Sequence, residues 1–398
     1  MKKPKILFYC QHILGIGHLI RSMEIVRGLL ADFEVCFVNG GRVIEAFPTP
    51  AGVRVVNLPA IATDPAFQSL EVIDANQSLA DVFAARTAQL LTLLDEVQPD
   101  ILVVELFPFG RRRFSAELIP CLEAAKARGC KVVCSLRDIV VTKQDQTRHE
   151  AKICRLMNQY FDLLLIHGDP TFQPLELSFS RVQDLHCPVH YTGYVVQQPA
   201  ELDAGLDADL AQINPDRPLI VTSVGGGRFG HELLFCVAAA APFLAHLPHQ
   251  LLIFAGPFVP LAVFTQLQAQ AAQCPNVVLQ RYTPNLLSYL TQADLSISMA
   301  GYNTTMNVLT CGVRAMMLPF TGNDDQEQSL RAERLEALGI IRVIRPEDLQ
   351  PERFAERVLE CLRQQPTPRS FDFQGVEKTA TYLKDLAGCK VAVSGSAC

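Results

Sequence analysis

Short β-branched or aromatic runs alternate with longer helical patterns along most of the chain. The strand-like runs of the first half are residues 5–10, 33–38, 53–58, 100–105, 131–135, 162–167 and 188–192. The helical patterns among them are residues 18–31, 75–97, 115–128 and 146–160. Such alternation predicts an α/β fold with a doubly wound parallel sheet and right-handed crossovers, in which ligands bind at the carboxyl ends of the strands.

The same alternation resumes after a break. The later strand-like runs are 218–223, 276–280, 294–298, 314–318 and 340–344, and the helical patterns are 231–245, 284–292, 303–311, 325–338 and 371–386. A chain of 398 residues exceeds one ordinary core, so two domains are expected. We predict a first domain over 1–195, a linker over 196–217, a second domain over 218–365, and a segment 366–398 whose helix packs back on the first domain before a tail.

Composition excludes several classes of protein. A net charge of −6 argues against nonspecific nucleic-acid binding, which needs a basic surface. The 13 cysteines are scattered without a CxxC pair, so the sequence predicts reduced cytoplasmic thiols rather than a disulfide framework or a zinc ribbon. Asp207-Ala208-Asp209 imitates a metal-binding pair but lies in a helical pattern, so no metal ligand is assigned.

No segment reads as a signal peptide or a membrane span. The apolar run after Lys5 is only as long as a strand and meets Gln11 and His12 at once. The longest apolar stretch, 233–247, is too short to cross a bilayer and contains Pro242. We therefore expect a soluble cytoplasmic protein, with peripheral contact at the inner face of the membrane left open.

Two glycine turns in the second half predict an anion site. A strand-like run leads into Ala300-Gly301, and a helix begins at Asn303 and Thr304 and ends at Gly312. The free amide groups and positive dipole of a helix N-terminus suit phosphate. Gly225-Gly226-Gly227-Arg228-Phe229-Gly230 satisfies GxGxxG before another helix, but no acidic residue ends the next strand, so NAD binding is disfavoured.

A loop at the first strand end carries a candidate base. In Leu14 to Arg21, Gly15 and Gly17 have dinucleotide-loop spacing, but Ile20 stands in place of the third glycine. His18 lies in the first turn of a helix, where the dipole favours a neutral imidazole available as a general base. Packing against the neighbouring loop is the alternative reading of His18. His12 is either an orienter of that base or a surface residue.

Charged residues follow two other strands of the first half. Arg111, Arg112 and Arg113 stand among phenylalanines in the loop after Glu105, where they suit phosphate, carboxylate or lipid headgroup recognition. A solvated helix start is the commoner reading of such a run. Arg137 and Asp138 end the next strand and either face the cleft or pair with each other.

The order and spacing of these motifs resemble GT-B glycosyltransferases of the MurG-like kind. The motifs are Gly-Ile-Gly-His at 15–18, Phe-Pro-Phe-Gly-Arg-Arg-Arg at 107–113, Gly-Gly-Gly at 225–227, Ala-Gly-Tyr-Asn-Thr at 300–304 and Asp-Gln-Glu-Gln at 325–328. The resemblance implies two Rossmann-like domains facing a central cleft. The first domain would bind an acceptor, and the second would bind a nucleoside diphosphate sugar, usually a uridine one.

By that resemblance, site roles follow for particular positions. His18 is the implied base of an inverting, metal-independent transfer, and no cofactor beyond the sugar donor is expected. The implied donor-binding residues are Gly225, Gly226, Gly227, Arg228, Gly301, Tyr302, Asn303, Thr304, Thr305, Asn307, Asp325, Gln326, Glu327 and Gln328. The acceptor side, for a small molecule, saccharide or lipid, comprises Gly17, His12, Glu105, Arg111, Arg112, Arg137 and Asp138.

One position departs from the family pattern. Relatives place a glutamate that binds the ribose hydroxyls where this chain has Asn307, which lacks the charge-assisted hydrogen bonds of a carboxylate. Two other functions stay open. Gly-Ile-Gly-His-Leu-Ile-Arg-Ser is also similar to the loop of nucleotide-sugar hydrolases of the same architecture, and Asn307 fits a noncatalytic sugar-nucleotide or lipid-binding protein.

Overall fold

The computed structural model divides the chain into two compact units. The first comprises Met1–Val195 with Phe371–Cys398, and the second comprises Val196–Ser370. The residues it describes are 2–13, 16–44, 47, 49–63, 69–73, 76–141, 145–197, 216–283, 285–322 and 326–388. Gly15, most of the predicted linker with Asp207 and Asp209, the predicted donor residue Asp325 and the tail from 389 lie outside this set.

A seven-stranded parallel sheet forms the first unit. Its strands are β1 (Lys5–Cys10), β2 (Glu34–Asn39), β3 (Arg54–Asn57), β6 (Ile101–Glu105), β7 (Lys131–Arg137), β8 (Leu163–His167) and β9 (Val189–Tyr191). The order across the sheet is β3-β2-β1-β6-β7-β8-β9. A separate antiparallel pair, β4 (Ile61–Thr63) and β5 (Leu70–Val72), was not predicted from the sequence.

Both faces of this sheet are covered, which explains its nearly continuous apolar strands. Leu7 and Tyr9 of β1 belong to one hydrophobic cluster, and Ile6 and Phe8 belong to the cluster on the opposite face. The helices that follow these strands are α1 (Gly17–Leu29), α2 (Leu79–Val97), α3 (Ser115–Ala127) and α4 (Gln146–Tyr160). Ser78 caps α2, because its hydroxyl accepts a hydrogen bond from the amide of Asp81 at 3.1 Å.

The second unit repeats the plan with a six-stranded parallel sheet. Its strands are β10 (Leu219–Ser223), β11 (Gln250–Phe254), β12 (Val277–Gln280), β13 (Leu295–Met299), β14 (Arg314–Leu318) and β15 (Arg342–Val343), in the order β12-β11-β10-β13-β14-β15. Its helices are α5 (His231–Ala240), α6 (Leu261–Ala271), α7 (Leu286–Leu290), α8 (Tyr302–Cys311), α9 (Glu327–Ala337) and α10 (Pro351–Arg363).

The last described helix, α11 (Gly375–Leu386), belongs to the first unit. It packs closely against α1, since a Cβ added to Gly28 would lie 2.0 Å from Val376. Lys384 and Asp32 form an ion pair of 3.0 Å beside this contact. Within the described ranges, none of the helices is both long and apolar enough to cross a lipid bilayer.

The strand order of each sheet reverses once. The reversal lies between β1 and β6 in the first unit and between β10 and β13 in the second. In open α/β sheets the loops after the strands diverge at such a reversal and leave a crevice at the carboxyl edge. The doubly wound α/β class predicted from the sequence is confirmed, and each reversal marks an edge where ligand-binding residues are expected.

Candidate active site

In the first unit, a histidine and a carboxylate meet at the strand-order reversal. Glu105 is the last residue of β6, and His18 lies in the first turn of α1, which follows the adjacent β1. Nδ1 of His18 lies 2.7 Å from Oε1 of Glu105. Arg21 donates a hydrogen bond to the same oxygen. His18 and Arg21 are three residues apart on α1, so they share one helix face.

The electrostatics of this pair fix the state of the imidazole. Burial lowers the pKa of His18 to about 3, and the charges of Arg111 and Arg137 act in the same direction. Burial alone would raise the pKa of Glu105, but its interaction with His18 and the charge of Arg21 lower it to about 2. A neutral imidazole beside an ionised carboxylate must donate its Nδ1 proton, because the carboxylate is only an acceptor. Nε2 of His18 therefore carries the free lone pair.

The side chains of His18 and Glu105 differ in solvent exposure. The side chain of His18 is 16% exposed, whereas that of Glu105 is fully buried. His18 therefore has atoms accessible from solvent at this edge, whereas the carboxylate of Glu105 has none. From the sequence, we expected the helix dipole to keep the imidazole of His18 neutral. In the structure, burial is the largest cause of its lowered pKa.

The arginines of the predicted run, Arg111 to Arg113, have different surroundings. Nε of Arg111 donates to the backbone oxygen of Gln11 at 2.8 Å, and burial lowers the pKa of its guanidinium. Arg112 instead contacts Nδ1 of His149 on α4 at 2.5 Å. Only Arg113 of the three is exposed. A wholly solvated helix start, the commoner reading of this run, is therefore wrong for Arg111 and Arg112.

The other predicted acceptor-side residues have separate surroundings. His12 is 5% exposed, and its Nε2 contacts Oδ1 of Asn39 at 3.1 Å, so it is not a surface residue. Glu105, rather than His12, occupies the orienting position at Nδ1 of His18. Gly17 is exposed at the start of α1, and Asp138 is buried after β7.

In the second unit, three predicted loops lie side by side. The loop from Gly225 follows β10, Gly301 follows β13, and Gln326 to Gln328 begin α9 after β14. Strand pairing makes these three loops neighbours, because Ser223 pairs with Ser298 and Met299 pairs with Leu318. Their convergence at one carboxyl edge follows from the parallel register.

The first of these loops requires glycine. Gly225 and Gly227 have φ of 62° and 79°, in the left-handed region that favours glycine. A Cβ on Gly227 would lie 2.4 Å from the backbone oxygen of Ala255. Gly226 accepts a hydrogen bond from the amide of Phe258 at 2.9 Å, and the guanidinium of Arg228 lies 5.4 Å from the centre of the Phe258 ring.

The second loop opens the helix predicted to bind phosphate. Gly301 is the N-cap of α8 in an extended conformation, and a Cβ added there would meet no described atom within 4 Å. Asn303 is half-buried, whereas Thr304 and Thr305 are buried. Thr305 turns its hydroxyl toward the sulfur of Met317 at 3.9 Å, so its side chain faces the core.

Asn307 lies further along α8 and is 2% exposed. Its Nδ2 donates to Oε1 of Gln197 at 3.2 Å. Its own Oδ1 is buried and has no hydrogen-bond partner among the described residues. Gln197 stands 110 positions away in the chain, so this contact could not be predicted from the sequence.

The helix after the third loop contacts the helix after the second through Arg331, which also forms a buried ion pair within its own helix. Glu327 of α9 pairs with Arg331 at 2.8 Å, and the guanidinium of Arg331 lies 5.3 Å from the ring centre of Tyr302 on α8. Gln328 accepts a hydrogen bond from the amide of Phe320 at 3.0 Å, and Gln326 is exposed. Their predicted contact with a donor sugar stays a prediction.

Two residues that the sequence did not single out join this edge. His231, the first residue of α5, contacts the backbone oxygen of Gly227 through Nε2 at 2.9 Å. Tyr282 follows β12 and is 44% exposed. Their positions directly after a glycine turn and after a strand end are signals that the sequence did carry.

Two doubly wound parallel sheets, each with polar groups at its carboxyl edge, define the GT-B class of glycosyltransferase folds. The crystal structure of the calicheamicin glycosyltransferase CalG4 is 18% identical to this chain with a TM-score of 0.62, over 99% of this chain and 100% of that one. Acinetobacter baumannii MurG is 16% identical with a TM-score of 0.57, over 98% and 100% of the two chains. At these identities the likeness shows the fold.

Comparisons of sequence also relate this chain to glycosyltransferases. Residues 221–380 match the model of the glycosyltransferase family 28 C-terminal domain. The UDP-N-acetylglucosamine--N-acetylmuramyl-(pentapeptide) pyrophosphoryl-undecaprenol N-acetylglucosamine transferase of Thermotoga neapolitana is 29% identical over 22% of this chain and 26% of its own length. An uncharacterized glycosyltransferase of Methanosarcina mazei is 21% identical over 90% and 88%. The predicted resemblance to MurG-like enzymes is confirmed, and glycosyl transfer is supported as the general activity.

Proposed function

We propose that this chain is an inverting, metal-independent glycosyltransferase. It would move a hexose or N-acetylhexosamine from a nucleoside diphosphate, with uridine as the expected nucleoside, to an acceptor hydroxyl. The contact between His18 and Glu105 carries the proposal, because it places a neutral, oriented and partly exposed imidazole at a ligand-binding edge. The family 28 domain supplies the reason to expect a glycosyl donor.

In this mechanism His18 is the general base. Its Nε2 takes the proton of the acceptor hydroxyl while that oxygen bonds to the anomeric carbon and the bond from this carbon to the diphosphate oxygen breaks. One displacement at the anomeric carbon inverts its configuration. The imidazolium that forms is stabilised by Glu105, which is held in turn by Arg21. General-base catalysis of this kind contributes about 10²- to 10⁴-fold in rate.

The loops of the second unit would receive the diphosphate. Gly225 of the glycine turn and Gly301 at the N-terminus of α8, where an added Cβ would meet nothing within 4 Å, would let an anion approach the backbone. Fixed dipoles there act where negative charge develops on the leaving group. We propose that the exposed ring of Tyr282 stacks on the nucleobase, since an aromatic face suits a planar base.

A transfer assay with a panel of donors tests this function. The purified chain is incubated with UDP-, GDP- and dTDP-sugars and with lipid, saccharide and small-molecule acceptors, in the presence of EDTA. NMR of the anomeric proton then reports the configuration of the product. We expect transfer from a UDP-sugar with inversion and no loss of rate in EDTA. A chain that neither binds a nucleotide nor transfers a sugar would refute the proposal.

The same assay separates the two other functions. Free sugar released at full rate without an acceptor would establish a hydrolase, in which water replaces the acceptor hydroxyl. Nucleotide-sugar binding without turnover under any condition would establish a noncatalytic binding protein. Loss of activity in EDTA that Mg²⁺ restores would refute metal independence while leaving glycosyl transfer in place.

A further inference from the structure

Two carbonyl oxygens of the glycine loop are held by donors from the protein itself. The amide of Phe258 donates to the oxygen of Gly226 at 2.9 Å. The imidazole of His231 contacts the oxygen of Gly227, also at 2.9 Å. A carbonyl oxygen only accepts hydrogen bonds, so Nε2 of His231 is the donor in this contact.

The orientation of the Gly227 carbonyl matters for an anionic ligand. A carbonyl oxygen carries partial negative charge and repels phosphate, whereas a backbone N–H attracts it. In a trans peptide the C=O and the following N–H point in opposite directions. A bond from His231 that fixes this oxygen therefore also fixes the direction of the amide of the next residue, Arg228.

The loop needs such an anchor. Glycine adopts both signs of φ readily, so its peptide planes reorient more easily than those of other residues. Packing restricts Gly227 where a Cβ would collide with Ala255 and Gly256, and the bond from His231 restrains its carbonyl as well. His231 is half-buried in the first turn of α5, where a helical side chain leans back toward the preceding loop.

We infer that His231 is a positioning residue of the donor site, which keeps the Gly227 carbonyl turned away from a bound diphosphate. The inference rests on the proposed donor-binding function of this loop. His231 itself need not touch the sugar nucleotide. Its removal would let the loop present an oxygen where the diphosphate binds, and affinity for the diphosphate would fall.

A second histidine of the same unit provides a matched control. Nδ1 of His249 contacts the backbone oxygen of Leu247 at 2.8 Å, and its Nε2 contacts the side chain of Asn276 at 2.8 Å. His249 thus also binds a carbonyl and is 1% exposed, but it precedes β11 at the opposite end of the strands from the glycine loop. Substitution of His249 removes a similar hydrogen bond to a carbonyl oxygen but should leave the glycine loop in place.

Isothermal titration of His231→Phe, His231→Gln and His249→Phe with UDP and with inorganic pyrophosphate tests the inference. We expect His231→Phe to weaken both ligands about tenfold, the scale of one hydrogen bond at a charged ligand. His231→Gln keeps a side-chain N–H donor and should stay within about threefold of the native chain. His249→Phe should lower Tm yet bind both ligands normally.

Native affinity in His231→Phe, or an equal loss in His249→Phe, would overturn the role of His231. A native chain that binds neither UDP nor pyrophosphate would overturn this role and the proposed function together. Pyrophosphate binding that weakens in His231→Phe, in a chain that transfers no sugar, would support His231 and count against the transferase. Pyrophosphate reports on the loop whichever nucleoside the donor contains.

Discussion

Replacing Glu105 by glutamine tests the catalytic pair most directly. The amide oxygen of glutamine can still accept the Nδ1 proton of His18, so the ring keeps its orientation and its tautomer. What disappears is the negative charge beside the imidazole. Because His18 becomes positively charged only as it takes the acceptor proton, the attraction between Glu105 and the imidazolium stabilises the transition state and is absent from the resting enzyme.

The size of the effect follows from the contact. Two unit charges about 4 Å apart attract by about 4 kcal/mol at an effective dielectric of about 20. The nearby guanidinium groups and the partial exposure of His18 screen some of this attraction, so we take roughly 3 kcal/mol as the loss. That loss lowers kcat by about 10²-fold. Donor affinity should not change, because Glu105 belongs to the first unit and the proposed donor loops to the second.

The assay must separate lost catalysis from lost stability. Glu105→Gln also breaks a buried ion pair with Arg21, and breaking such a pair costs on the order of 3–5 kcal/mol of the free energy of unfolding. Glu117→Gln is a matched control, since Glu117 is equally buried and pairs with Arg86 at 2.5 Å without contacting His18. Both variants are assayed for UDP release at saturating substrates, at a temperature where circular dichroism shows them folded.

We expect kcat to fall in Glu105→Gln only, while both variants lose stability. A kcat for Glu105→Gln within about threefold of the native value would show that the charge beside His18 has no catalytic role. Equal losses of kcat in the two variants would assign the effect to stability.

Three further predictions use other residues. His18→Ala should lower kcat by about 10²- to 10⁴-fold with donor affinity retained, and unchanged turnover would reject His18 as the base. Asn307→Glu should raise the preference for UDP over 2′-deoxy-UDP by about fivefold in titrations, through charge-assisted hydrogen bonds; an unchanged preference would remove Asn307 from the ribose site. Burial lowers the pKa of His167 from 6.5 to about 3, so as pH falls through this window only the unfolded chain binds that proton. From this group the free energy of unfolding then falls by about 0.7 kcal/mol between pH 7 and 6 and by about 1.2 kcal/mol between pH 6 and 5. Denaturant titrations at pH 7, 6 and 5 should show a correspondingly shallower fall in His167→Gln.

The strands were the part of the fold that could be predicted best from the sequence. Parallel strands covered on both faces are short apolar runs, and β1 and β14 occur at the residues predicted. Two helices were missed. In α6, Leu261–Ala271, only Leu267 and Ala271 are buried, so there is almost no apolar stripe to detect. The second, α10, Pro351–Arg363, does bury a helical stripe behind an N-terminal proline, and its signal was present in the sequence.

Site residues were located by strand ends, but their partners were not. His18 and Glu105 lie 87 positions apart, and only the adjacency of β1 and β6 brings them together. A pattern of strands predicts a parallel sheet without fixing the order of its strands, so the sequence could name both residues but not their contact. The arginine run shows the same limit, because Arg111 contacts Gln11 and Arg112 contacts His149, and both partners are distant in the sequence.

The departure at Asn307 also has a local physical reading. Nδ2 of Asn307 donates to Oε1 of Gln197, so a glutamate at this position would place a carboxylate against an acceptor oxygen. A glutamine side chain can turn about its last torsion and offer its Nε2 protons instead. Gln197 can therefore hydrogen-bond with either asparagine or glutamate at position 307, although burial of the longer, charged side chain lowers the free energy of unfolding. Once circular dichroism shows the Asn307→Glu variant folded, a change in its nucleotide preference reports on the ligand rather than on misfolding.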